Sequence, residues 1–178
     1  ISMTGSSSSP ILEVCVETIQ QGLLAENNNA NMIEFCHRLD LGGVTPDHDL
    51  FRSAVNTIKI PVKIMIRPRG GDFIYSDSEV DKMKSDIRYC KSIGVEEVVL
   101  GALNEDGEVD NRLTQRLAKL AFPMKVTFHK AIDAVNNFMS SLKTLSTMEN
   151  IDSVLTSGTK ENALSGKEYI KLASKEFS

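Results

Sequence analysis

Two short segments, Glu13-Val14-Cys15 and Glu34-Phe35-Cys36, each set a carboxylate two residues before a thiol within an apolar run. In an extended chain that spacing puts acid and thiol on the same face. Two such thiols, joined by the thioether of Met65 from a third apolar run, form a soft donor set suited to copper(I). The plainer reading is a pair of small buried hydrophobes. If the two runs are neighbouring strands, Glu13 and Glu34 would lie side by side. Like charges that close raise one pKa and hold a general acid beside a base. An inward Lys63 or Arg67 would instead keep both ionised as an internal salt-bridge layer.

The stretch MIRPRGGDFIYS, Met65 to Ser76, follows the apolar run VKIM with two arginines, two glycines and an aspartate. Arg67 shares parity with Met65 and Lys63, so it should point to the same face as they do. Arg69 and Asp72 are expected to pair across the loop, and Gly70 and Gly71 allow close approach of backbone amides to an anion. An anion site built from Arg67, Arg69, Gly70, Gly71 and Asp72 is therefore one reading. A structural arginine bonded to Glu13 or Glu34 is the other. Farther along, VTFHKAID supplies His129, a residue type suited to proton transfer, and LTSG supplies Ser157 at a turn that suits a phosphate or carboxylate.

These residues sit in a regular frame. Six Val- and Ile-rich runs at 11–16, 32–36, 62–66, 96–102, 125–129 and 152–157 read as strands, their starts 21 to 34 residues apart. That spacing fits a strand plus a crossover helix. Between them, TPDHDLFRSAVNTI offers Thr45 as helix cap, and SDSEVDKMKSDIRYCKSIG opens with a Ser76–Glu79 capping box and stops at Gly94. Repeated βα units imply a parallel sheet. Polar residues on the minority face (Glu13, Cys15, Glu34, Cys36, Arg67) favour a barrel interior over an open doubly wound sheet. The expected fold is α/β, a TIM (β/α)8-type barrel of which six βα units are present. A full barrel takes ~250 residues, against 178 here.

The expected organisation is a leader over 1–10, disordered or foreign to the fold, and one TIM-barrel-like domain over 11–178 lacking the last two units. Composition, at 41% apolar and 25% charged, is that of an ordinary soluble domain. A net charge of -4 speaks against nucleic acid as a partner. No apolar run reaches membrane-spanning length. Three cysteines without a disulfide-like spacing suggest reduced thiols and a cytoplasmic location. Cys90 falls on the apolar face of its helix with Val80, Met83 and Ile87 and reads as core. Open strand edges in a six-stranded sheet would favour a homo-oligomer.

LEVCVE, IEFC with LGGVTP, MIRPRGGDFIYSDSE, VTFHKAID and LTSG together resemble, in this order, the hallmark segments of the CutC family, the so-called copper homeostasis proteins. The resemblance runs over about residues 11 to 170. It implies a TIM barrel, and it implies that Glu13, Cys15, Glu34, Cys36, Met65, Arg67, Arg69, Asp72, Thr127, His129, Asp133 and Ser157 stand at family motif positions. Departures are Lys130 in place of the usual arginine, the CHRLDLGG loop bringing in His37 and Arg38, and no counterpart of a seventh or eighth unit.

Two functions follow as expectations. One is copper homeostasis, with copper(I) held by Cys15, Cys36 and Met65. The other is an enzyme acting on a small anionic metabolite. There Glu13, Glu34 or His129 would transfer protons, and Arg67, Arg69, Gly70, Gly71, Asp72 and Ser157 would hold the anion.

Overall fold

The computed structural model describes residues 10–177, so the leader expected at 1–10 lies, apart from Pro10, outside the described residues. The described chain divides into two units, residues 10–72 with 76–99, and residues 73–75 with 100–177. In the first unit β1 (Glu13–Val16), β2 (Met32–Phe35), β3 (Val62–Met65) and residues 97–99 of β4 (Glu97–Leu100) lie side by side in chain order and run parallel. They alternate with α1 (Ile19–Asn27), α2 (His48–Thr57) and α3 (Asp77–Ser92). The second unit carries α4 (Asn111–Ala121), β5 (Lys125–Phe128), α5 (Phe138–Ser146), β6 (Ile151–Val154) and α6 (Lys167–Phe177), with β5 and β6 parallel. Six strands, each followed by a helix, make the βα repeat of a TIM-barrel-type α/β fold. Among the described residues no helix is long and apolar enough to cross a membrane.

Strand parity does the sorting. Ile33, Phe35, Ile64, Ile66 and Val98 are fully buried on the helix-facing side, while Glu34, Lys63, Met65, Arg67, Glu97 and Val99 occupy the other. Helix boundaries follow the local signals where those are strong. Ser76 and Glu79 close the capping box of α3, and Gly94 follows its end at φ 80°. One boundary differs from expectation: α2 starts after Asp47, not Thr45. Thr45 is engaged elsewhere, its Oγ1 accepting the Arg67 amide at 2.8 Å while its own amide donates to the Arg67 carbonyl at 2.8 Å. A tertiary tie thus outcompetes the capping role.

The register also departs from the expected pairing of Glu13 with Glu34. Cys15 lies opposite Glu34, Glu34 opposite Lys63, and Lys63 opposite Glu97, while Glu13 faces Met32. Parallel strands of barrel type are staggered along one another. Equal places in the repeat are therefore not at equal height.

Candidate functional site

The row Cys15, Glu34, Lys63, Glu97 defines the polar face of the first unit. Lys63 Nζ bridges Glu13 Oε2 at 3.0 Å and Glu97 Oε1 at 2.8 Å. Burial works against its ammonium. The hydrogen bond and charge of Glu97, joined by those of Glu13, outweigh that and leave its pKa above the ordinary lysine value. The internal carboxylates thus find Lys63 as a cation, the option the sequence left open. Arg67 instead donates from Nη1 to the carbonyls of Leu41 and Gly43, both at 3.1 Å, and from Nη2 to that of Gly71 at 2.8 Å.

Glu34 is 4% exposed. Its Oε1 accepts the Cys15 thiol at 3.2 Å, and its Oε2 is buried with no hydrogen-bond partner among the described residues. Burial is the main cause that pushes its carboxyl up to about 7, against the opposing pull of the Cys15 hydrogen bond. The folded chain therefore holds a proton here that the unfolded chain releases above about pH 4.5. This contribution to stability is largest below that pH, declines as pH rises to about 7, and is level above it. The difference amounts to on the order of 3 kcal/mol at 1.36 kcal/mol per pKa unit. Glu34→Gln should remove that decline, so the variant gains on the parent between about pH 4.5 and about pH 8. Urea unfolding of both at the two pH values checks it, and parallel changes in the two proteins would rule it out.

The two thiols meet. Cys15 Sγ and Cys36 Sγ are 3.4 Å apart, with Cys36 Sγ also 3.7 Å from the Val16 carbonyl oxygen. Cys36 is fully buried with Met65 and Val99 in one cluster, whereas Cys15 is exposed. The Cys15 thiol is held in its protonated form, first by its contact with Cys36, then by the partial burial of its sulfur on the inner side of an otherwise exposed residue and by the Glu34 charge. Glycine at position 43 lets the backbone close over this pair: a Cβ there would sit 3.4 Å from Cys36 Sγ and 3.6 Å from Met65 Cε. Among the described residues no three His, Cys, Asp or Glu side chains gather as a metal-holding group. Beside the Glu34 carboxyl the structure brings together two thiols and one thioether, donor types that suit soft ions better than hard ones.

The loop after β3 is tied to itself. Arg69 pairs with Asp72 at 2.9 Å, as its sequence suggested, and with Glu79 at 2.6 Å. Gly71 takes φ 85°, and Gly70 packs against Leu41, whose Cβ would lie 3.0 Å from an added Cβ. The helical face on which Cys90 was placed also holds Asp86, which is 1% exposed and bonded to His48 Nε2 at 2.8 Å and to Lys82. Sequence spacing alone did not single it out.

The second unit holds the remaining candidates. His129 is 3% exposed, and its Nδ1 accepts the Ala131 amide at 3.2 Å, which leaves the proton of the neutral ring on Nε2. Phe73 lies against the ring at 5.0 Å between centroids. Gly101 is required beside it, since a Cβ there would fall 2.6 Å from the imidazole. Thr127 bonds Ser153 at 2.7 Å. Ser157 donates from both its amide and its hydroxyl to Asp133 Oδ2, at 2.8 and 3.0 Å, while Thr156 Oγ1 and the Thr159 amide donate to Oδ1. The turn read as suited to an anion encloses the chain's own carboxylate.

The CutC family profile matches residues 10–176. The chain belongs to the CutC family. The human copper homeostasis protein cutC homolog is 43% identical over 167 residues, covering 94% of this chain and 61% of that protein. The CutC family protein of Pasteurella multocida is 39% identical over 160 residues, 90% of this chain and 65% of that one. The chain thus spans less than two thirds of the length of these curated relatives. Among solved structures, the CutC protein of Streptococcus agalactiae superposes with a TM-score of 0.85 at 26% identity, over 93% of this chain and 82% of that one. A phosphonopyruvate hydrolase bound to oxalate and magnesium shares the fold alone, with a TM-score of 0.66 at 14% identity, over 94% of this chain and 63% of that one.

Proposed function

We propose that this chain serves copper homeostasis by capturing copper(I) on Cys15 and Cys36, with Met65 as a third soft donor. The observation that carries the proposal is the 3.4 Å contact between the two sulfurs from adjacent strands, with Met65 in the same cluster as Cys36. Thiolate and thioether ligands select copper(I) over hard cations. Exposed Cys15 offers the point of arrival and buried Cys36 the more sheltered donor. Membership in a family whose relatives are named copper homeostasis proteins supports the same reading.

The enzyme alternative draws less support from the geometry. The donors it assigns to an anion already serve the chain's own acceptors: Arg67 three backbone carbonyls, Arg69 two carboxylates, and Ser157 the Asp133 carboxylate. Copper capture is tested by alkylation. One equivalent of copper(I), supplied without oxygen, should slow iodoacetamide labelling of Cys15 by about ten-fold or more if the ion is held with the affinity typical of soft thiolate sites. Labelling at the same rate with and without the ion would refute the assignment.

A further inference from the structure

The segment from His37 to Val44 crosses directly over the buried sulfurs, with Gly43 against both Cys36 and Met65. It is a narrow hairpin: His37 and Val44 exchange both backbone hydrogen bonds, at 2.9 and 2.7 Å, and the Gly43 amide donates to the Arg38 carbonyl at 3.0 Å. Its backbone is not one the chain adopts freely. Arg38 sits in the left-handed region at φ 54°, followed by Gly42 at 81° and Gly43 at 83°. A bulky residue keeps such a conformation only where its surroundings over-determine it. The segment's apolar side chains give modest anchorage, since Leu39 and Leu41 are 40% and 43% exposed.

What fixes it comes largely from the segment just after β3. Arg67, itself 5% exposed, reaches out of the sheet and grips the hairpin at two carbonyls, Leu41 and Gly43, while its other terminal nitrogen holds Gly71 in the next loop. The backbone of the same residue is locked to Thr45 at the hairpin's exit. Smaller ties are the Leu39 amide to Glu17 Oε1 at 2.9 Å and an exposed Arg38–Asp40 ion pair within the segment. A guanidinium fork suits this task because one rigid plane offers several donors in fixed directions. We infer that Arg67 is a positioning residue, the clasp of a lid formed by His37–Val44 that shuts the Cys36–Met65 pair off from solvent. Combined with the copper reading proposed above, on which this part alone depends, the lid makes Cys15 the entrance and Cys36 the guarded end of the site.

The test reads thiol access and needs no metal. In a Cys15→Ser background, so that labelling of Cys15 cannot pry the site open, maleimide labelling of Cys36 and Cys90 is followed by mass spectrometry. Cys90 is buried on α3, outside the hairpin, and reports opening of the rest of the unit. Arg67→Ala should speed labelling of Cys36 by about ten-fold or more, the factor expected when charged hydrogen bonds to a lid are lost. Cys90 should stay at its original rate. An unchanged Cys36, or Cys36 and Cys90 rising by the same factor, would overturn the lid. If Arg67→Ala does not fold, Arg67→Lys keeps the charge but not the fork. Its Gly43 and Val44 amides should then exchange faster with solvent while those of β2 and β3 do not, and unchanged exchange at those two amides would equally overturn it. Failure of copper binding would leave the labelling result intact, so the two claims fall separately.

Discussion

Replacing Lys63 with methionine is expected to cost about 3–5 kcal/mol of folding stability at neutral pH, the usual penalty for stripping the partner from buried charge. Methionine fills similar space, so the loss is electrostatic. It leaves Glu97, 8% exposed, and Glu13 facing each other across the position of the missing ammonium, with Glu34 in the same row. Lys63 also holds the Glu34 carboxyl down, so without the cation that group is pushed further up and the folded variant keeps a proton that its unfolded state releases. Such groups stabilise at low pH and destabilise as pH rises. The gap between variant and parent should therefore narrow toward about pH 4 and widen toward about pH 8. In the parent, Lys63 has a raised pKa, so its own contribution is complete below 10.5 and is lost only as pH climbs through the folded value. Urea unfolding at the two pH values measures both the size and the slope. A variant within about 1 kcal/mol of the parent at both would contradict the salt-bridge assignment.

Asp133→Ala should be nearly as damaging, at about 2–4 kcal/mol, because one carboxylate satisfies four donors from the turn after β6. Two are backbone amides, of Ser157 and Thr159, and two are hydroxyls, of Thr156 and Ser157. The chain has little slack to rearrange there: a Cβ on Gly158 would fall 2.3 Å from the Gly166 carbonyl oxygen. Asp133→Asn keeps one acceptor oxygen and should lose clearly less. Thermal melts of the three proteins decide it, and an alanine variant as stable as the asparagine one would show that the turn does not depend on the carboxylate.

Much of this framework can be read from the residues in order. The six strands are announced by short Val- and Ile-rich runs spaced for crossover helices, and all six form, each shorter than expected by one to three residues. Parity also holds, so Glu34, Cys36, Lys63, Met65 and Arg67 do share a face. The capping box at Ser76 is a set of local hydrogen bonds between residues three apart, which is why sequence reveals it. What depends on distant partners does not show. The stagger that sets Cys15 beside Glu34 is a property of neighbouring strands, not of either strand. Thr45 looks like a cap until Arg67 is seen to claim it. The donors of Ser157 look free for a ligand until Asp133, 24 residues earlier, fills the turn. Arg67 illustrates the same point: its type suggests an anion, and its neighbours turn out to be carbonyls.

Copper capture by the two thiols is tested most directly by a competition titration with a copper(I) chelator under reducing, oxygen-free conditions. The parent and the Cys15→Ala/Cys36→Ala variant are compared, with circular dichroism to confirm that the variant keeps its helices and strands. One copper(I) site in the parent, weakened by about 1,000-fold or more in a folded variant, is the expected result, equivalent to the loss of ~4 kcal/mol of binding energy. Equal affinity in the two folded proteins, or no site in the parent, would contradict it and reduce Cys15 and Cys36 to packing.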